Sequence, residues 1–253
     1  MTDPEIADLA RTVAMDLVAE GAQAVVLAGS HVRADATELS DIDLYAIGSG
    51  SAYTLRVVRG RLVAVSWRSE EDERRALRQP ESVGAVVPAW RGARILHDPD
   101  GIAEGLKREA AAFDWSGISA ACGEWVAEAT IGYAEEVLKL VAARRGDDRL
   151  LAAVQRSVLA LRLPAIMAVH HRLLYETENR LWHLVAQAMG DEWATAQAAA
   201  LGLAPGEDAD RAALQLFALA VNEVRPLLTP AQAEVVDLAL RVANEETHGT
   251  ELV

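Results

Sequence analysis

The chain has 253 residues, 51% of them hydrophobic, with 24 basic and 38 acidic side chains and a formal charge of −14. A chain of this length buries roughly 70–75% of its unfolded surface, so one large or two small cores form without a metal or a disulfide. The single cysteine, Cys122, excludes an internal disulfide framework and a zinc site built on cysteine pairs.

Other function classes are set aside by the same reading. A protein that tracks a phosphate backbone usually carries the opposite charge balance, so nucleic acid is not an expected partner. There is no basic-then-apolar opening of the signal-peptide kind. The apolar runs are far short of the ~18 residues that cross a bilayer. With one cysteine, these features fit a cytoplasmic protein without a membrane partner.

The first helix is marked by Thr2 or Asp3 as cap and Pro4 at the first helical position. Ile6, Leu9, Val13 and Leu17 then share one face, and Gly21 is placed to end it. Ala24 to Ala28 is a short apolar run that predicts a buried strand, leaving through the turn Gly29-Ser30-His31. Ile42, Leu44, Ala46 and Ile47 predict a second strand with Asp41 and Asp43 on its alternate face. Residues 53–58 and 61–67 predict a hairpin turning at Arg59-Gly60. Ser69 with Asp72 resembles a capping box for a charged helix that Gln79-Pro80 closes. Arg94 to His97 predicts a further strand, and Asp98 to Gly101 a turn into a helix over 102–112.

The composition then changes. After the turn-rich stretch Phe113 to Gly117 the chain is rich in Ala, Leu, Glu and Arg with helical spacing. Helices are expected over about 119–145, 149–173, 176–189, 191–201, 208–225 and 230–246. Gly146 and Asp147 separate the first two, Pro164 is expected to kink the second, and Thr229 with Pro230 opens the last. The expected organisation is α+β, with domains over 1–112 and 113–253.

The chemistry is concentrated between Leu27 and Ile47. A strand ends at Gly29-Ser30, where small residues let a backbone approach a phosphate and amides and a hydroxyl can donate to it. The chain returns as a strand with Asp41 and Asp43 at i and i+2, on one face. Two neighbouring carboxylates repel unless a cation lies between them, and Mg²⁺ takes one or two carboxylates with phosphate oxygens. The plain alternative is a strand–turn–strand with two solvated aspartates.

Gly-Ser followed by Asp-x-Asp on an apolar strand resembles the DNA polymerase β-like nucleotidyltransferase superfamily. Within it the likeness is to the small two-domain aminoglycoside (kanamycin) and lincosamide enzymes. The resemblance implies an N-terminal nucleotidyltransferase domain, a mixed β-sheet flanked by helices, followed by an all-α helical bundle. It implies Mg²⁺-dependent transfer of a nucleoside monophosphate, AMP from ATP or the equivalent from another nucleoside triphosphate, to a hydroxyl of a small acceptor such as an antibiotic. By position it implies that Gly29 and Ser30 bind the triphosphate and that Asp41 and Asp43 hold the metal. Relatives often build the site across a dimer, so a homodimer is one implied arrangement.

One departure stands out. Active members usually offer a third carboxylate on a neighbouring strand, and the stretch Arg61 to Trp67 has none; Ala64 and Ser66 lie on one of its faces. Three outcomes stay open: one metal with an organic base, Glu70 or Glu71 reaching in, or nucleotide binding without turnover. The last would suit a regulatory or antitoxin-like protein, and a further variant would adenylylate a partner protein. Glu70, Glu71 and Asp72 also read as the solvated acidic first turn of a helix.

In the helical half, Glu135 and Lys139 are four apart and share a helix face. In the kanamycin-type enzymes a helical-domain Glu activates the acceptor hydroxyl and a Lys one turn later contacts the phosphates. The resemblance thus makes Glu135 a catalytic base, Glu136 its fallback on another side of the helix, and Lys139 a nucleotide-binding residue. The alternative is a surface ion pair worth about 0.3–0.5 kcal/mol. Arg33 is a phosphate contact or an exposed loop arginine, and His31 is ambiguous. His170 and His171, adjacent on a helix, are expected to face apart and make a poor metal pair.

Overall fold

The computed structural model describes residues 4–33 and 35–249, with side chains to residue 246. Thr2 and Asp3, read above as caps, lie outside the described residues. The molecule has an α+β architecture: a five-stranded mixed sheet with flanking helices, then a helical region. It forms two compact units. One takes the chain through Gly117 together with Leu174–Thr177, and the other takes Ile118–Leu173 and the chain from Glu178 on.

In the first unit α1 (Pro4–Ala19) leads into β1 (Ala22–Leu27), a four-residue helical turn α2 (Ser30–Arg33) and β2 (Ile42–Gly48). The hairpin β3 (Tyr53–Val58) and β4 (Arg61–Arg68) follows. Arg59 and Gly60 both take positive φ, 50° and 76°, the geometry that matches a two-residue turn to strand twist. Helices α3 (Glu70–Ala76) and α4 (Pro80–Gly92), strand β5 (Arg94–His97) and helix α5 (Ile102–Ala112) complete the unit. The sheet order is β3-β4-β2-β1-β5. β2 and β4 run parallel, while the other neighbours are antiparallel.

Period-two alternation assigns the two faces of the sheet. Ile42, Leu44 and Ala46 of β2 and Val63, Val65 and Trp67 of β4 pack with Ile6, Leu9, Val13 and Leu17 of α1. Asp43 and Tyr45 of β2, and Ala64, Ser66 and Arg68 of β4, alternate with them and so belong to the opposite face.

Pro80 does not close the charged helix; it is the first residue of α4, a thirteen-residue helix where the sequence reading placed no element. Gly84 and Pro88 weaken its local propensity. Val83, Val87 and Trp90, spaced along one face, are fully buried and hold it in place.

In the second unit the helix expected over 119–145 is two helices, α6 (Ser119–Gly132) and α7 (Ala134–Arg145), with Tyr133 between them. The Tyr133 amide bonds the Thr130 carbonyl at 3.2 Å and its own carbonyl accepts from Val137. Glu135 and Glu136 therefore sit in the first turn of a helix, where acidic side chains complement the dipole. Helices α8 (Arg149–His170), α9 (Glu178–Met189), α10 (Asp191–Ala200), α11 (Ala209–Val224) and α12 (Pro230–Gly249) follow. Thr229 and Gln232 cap α12 reciprocally.

By length and mean composition α8 is apolar enough to cross a membrane, although Arg156 and Arg162 interrupt its apolar runs. Within its unit it is a central helix packed by α6, α7, α9 and α11, with Leu159, Leu163 and Met167 fully buried. It continues through Pro164 to His170.

Candidate active site

The site is built where β1 hands over to β2. Gly29 takes φ +69°, a conformation that costs glycine little and other residues more. No Cβ fits there, because it would collide with the Asp43 carboxylate. The Gly29 carbonyl accepts from the Val32 and Arg33 amides at 3.2 and 3.4 Å. Ser30 is the first residue of α2, and the opening amides of a helical turn have no partner within it. The Ala28 amide bonds the Asp43 carbonyl at 2.9 Å, which carries the β1–β2 pairing up to the turn.

Asp41 and Asp43 are both partly buried. Burial first, and then the charge of Asp41, push the Asp43 carboxyl up to about 6, while Arg33 pulls it down. The repulsion expected of an Asp-x-Asp pair is thus present, and it falls on the aspartate wedged against Gly29. Beside the turn lies a cavity of about 430 Å³ lined by Gly29, Arg33, Pro88, Arg91, Leu174 and Glu176 among others. Arg33 Nε reaches Asp35 Oδ2 at 3.2 Å and Nη1 reaches the Glu176 carbonyl at 3.1 Å. Arg33 is therefore a held residue at the cavity wall and not a loose loop arginine. His31 is buried.

The strand register shows what β4 places next to the aspartate. Asp43 stands beside Ala64, and Tyr45 beside Ser66, so the β4 positions flanking the aspartate offer a methyl and a hydroxyl. Glu70 bonds Arg74 at 2.7 Å and Glu71 bonds Arg75 at 2.9 Å, so both are engaged along α3 itself. The acid of this helix that turns inward is Glu73, 1% exposed. It accepts from Arg68 Nη1 at 2.7 Å and from Trp90 Nε1 at 2.5 Å. The Arg68 guanidinium lies 5.3 Å from the Tyr45 ring centroid, and Trp90 lies 6.2 Å from it. Burial raises the Tyr45 phenol above its ordinary value. This Tyr45–Arg68–Glu73–Trp90 cluster was missed in the sequence, because Glu73 is hidden in a run of four acids. The only local hint was its helical spacing from Leu77, which is also buried.

In the second unit Lys139 bonds Glu135 at 2.9 Å and Glu136 at 3.2 Å. Glu136 thus shares the side of the helix that carries Lys139, a correction to its expected divergence. The two glutamates raise the Lys139 ammonium above its ordinary value, Glu135 first. Glu135 is largely exposed and Glu136 largely covered.

No family model and no curated protein matches the chain. Among solved structures it is similar to the crystal structure of a nucleotidyltransferase-like protein from Exiguobacterium sibiricum 255-15, at 14% identity and a TM-score of 0.46. The similarity covers 95% of this chain and 78% of that one.

Proposed function

We propose that this chain is a cytoplasmic Mg²⁺-dependent nucleotidyltransferase that moves AMP from ATP, or the equivalent group from another nucleoside triphosphate, to a hydroxyl of a small acceptor. The observation that carries the proposal is the carboxylate of Asp43, pressed against a glycine turn and raised to about 6 by burial and by Asp41. The donor set fits the ion: a dication relieves the repulsion of two carboxylates, and the adjoining turn leaves room for phosphate oxygens. When bound, it supplies charge neutralisation for the triphosphate and its leaving pyrophosphate.

The roles of the chain's own residues follow. Asp41 and Asp43 hold the ion, and Gly29 and Ser30 bring backbone and hydroxyl donors to the phosphates. Glu135 takes the acceptor proton as the new O–P bond forms and the bond to pyrophosphate breaks. Lys139 offsets the charge that grows on the phosphates. The roles of Glu135 and Lys139 rest on the family resemblance and on their i,i+4 pairing, with Glu135 in the first turn of α7. An aminoglycoside-like cationic acceptor would suit the acidic chain, and no nucleic acid or membrane is required.

The test is incubation with labelled ATP, Mg²⁺ and a panel of hydroxylated acceptors. Transfer is expected, and it should disappear in the Asp41→Ala/Asp43→Ala double variant; full transfer by that variant would refute the metal assignment. Mixing Asp43→Asn with Glu135→Gln protein tests the homodimer, since a site shared between subunits regains activity on mixing.

Ala64 beside Asp43, and Ser66 beside Tyr45, favour a second reading. With no third carboxylate, the protein binds nucleotide without turnover, as a regulatory or antitoxin-like member, or acts on a protein acceptor. Nucleotide binding without acceptor-dependent pyrophosphate release supports the first of these. An AMP adduct found by mass spectrometry on a co-purified protein supports the other.

A further inference from the structure

Three helices of the second unit end at one place. α8 ends at His170, with His171 as its cap; α9 ends at Met189; and α11 ends one residue after Glu223. The end of α8 is unusual. Arg172 takes φ +58°, and the amides of Arg172 and Leu173 bond the carbonyls of Val169 and Ala168. This is the Schellman closure, with an arginine where glycine is the common choice. Because the chain leaves the helix here, adjacent histidines are not fixed in divergent directions. Their rings meet edge to face at 5.0 Å.

Both rings present Nε2 to one carboxylate oxygen. Glu223 Oε2 lies 3.6 Å from His170 Nε2 and 3.8 Å from His171 Nε2. The three ligand atoms all fall within 4.8 Å of one another. Ligands at about 2.0–2.1 Å from a tetrahedral Zn²⁺ stand about 3.3 Å apart, so small side-chain rotations close this set on an ion. The Met189 sulfur is 3.0 Å from His171 Nε2, a polarisable neighbour. The convergent helix ends add negative partial charge, which favours a cation. The three side chains are 21–45% exposed, so an ion can enter from solvent.

We propose that His170, His171 and Glu223 form a binding site for a borderline divalent transition metal, with Zn²⁺ the ion that two imidazoles and one carboxylate fit best. Three protein ligands leave a coordination position to water. The ion joins the ends of α8 and α11 and stabilises the second unit. The site is separate in chemistry from the Asp41–Asp43 pair, which offers oxygen ligands alone. The expectation that the two histidines face apart is corrected, since both Nε2 atoms approach Glu223 Oε2.

The test uses the full chain with Asp41→Asn and Asp43→Asn in place and Mg²⁺ in excess, so that oxygen sites are removed or filled. Titrated Co²⁺ is expected to give the visible d–d bands of a tetrahedral site at one equivalent, and Zn²⁺ to bleach them. Zn²⁺ should also raise the melting temperature. His170→Ala, His171→Ala and Glu223→Gln are each expected to weaken Co²⁺ at least about tenfold, with far-UV circular dichroism confirming that each folds. Should an alanine variant fail to fold, His171→Cys, which keeps a ligand, is expected to retain binding and add a thiolate charge-transfer band. Absence of d–d bands at millimolar Co²⁺, or bands unchanged in the His170→Ala/His171→Ala protein, overturns the proposal.

Discussion

At the scale of single residues, the conflict sits at Asp43. An aspartate in an unfolded chain titrates near pH 3.9, whereas this one is raised to about 6. In metal-free protein the folded state therefore binds this proton more tightly, and stability falls as the pH rises from about 4 to about 6. Below the unfolded value both states are protonated and the cost vanishes. Above about 6 it is complete, on the order of 2 kcal/mol once partial exposure is allowed for. Asp43→Asn is expected to flatten that part of the profile and to raise metal-free stability near neutral pH by about 1–2 kcal/mol, read by urea unfolding in EDTA. A less stable variant would contradict the electrostatic account. Mg²⁺ should raise the melting temperature of the wild type and not that of the variant. Gly29→Ala carries both a positive φ and a collision with the Asp43 carboxylate. A loss of about 1–3 kcal/mol is expected, together with weaker nucleotide binding in calorimetry.

At the scale of elements, the buried acid of α3 is what fastens that helix to β4 and α4. Glu73 satisfies Arg68 and the indole of the fully buried Trp90. Glu73→Ala removes both bonds and leaves a buried N–H unpaired, so a loss of about 2–3 kcal/mol is expected in denaturant melts. Glu73→Gln, which can still accept from Trp90, should lose about half as much; a Glu73→Ala protein within about 0.5 kcal/mol of wild type would show the cluster to be incidental. The legibility of the elements follows the same physics. The hairpin was plain because Arg59-Gly60 announces its turn, and α1 because its apolar face repeats with one period. The α4 helix was not, since Gly84 and Pro88 argue against it locally while Val83, Val87 and Trp90 are held by partners distant in sequence. The break at Tyr133 was hidden because neither Gly132 nor Tyr133 is a strong stop in an alanine-rich stretch. At the site, Gly29, Ser30, Asp41 and Asp43 were visible as a local pattern, whereas Arg33's grip on Glu176 spans 143 positions and leaves no local trace.

At the scale of the whole molecule, the two compact units do not divide the sequence at one point. Four residues that follow α8, Leu174–Thr177, belong with the sheet-bearing unit. Tyr175 donates its amide to the Gly84 carbonyl at 2.7 Å, and its ring covers Gly84 so closely that a Cβ there would come within 2.5 Å of Cε1. Leu174 and Glu176 line the cavity beside Gly29. The wall of the cavity beside Gly29 is thus completed by a segment more than half the chain away from that turn. Two glycines of α4 separate this long-range role from ordinary helix propensity. Replacing glycine by alanine inside a helix is worth up to about 1 kcal/mol in favour of the helix. At Gly92 a Cβ meets nothing within 4 Å, so Gly92→Ala should be neutral or mildly stabilising. At Gly84 the same methyl must displace the Tyr175 ring. Gly84→Ala is therefore expected to speed hydrogen exchange at the Tyr175 amide by roughly tenfold or more, as that segment opens more often. The amides of β1 and β2 should keep their protection. Equal exchange at Tyr175 in the two variants would mean that the segment is not held by Gly84, and that the pocket wall it forms has another anchor.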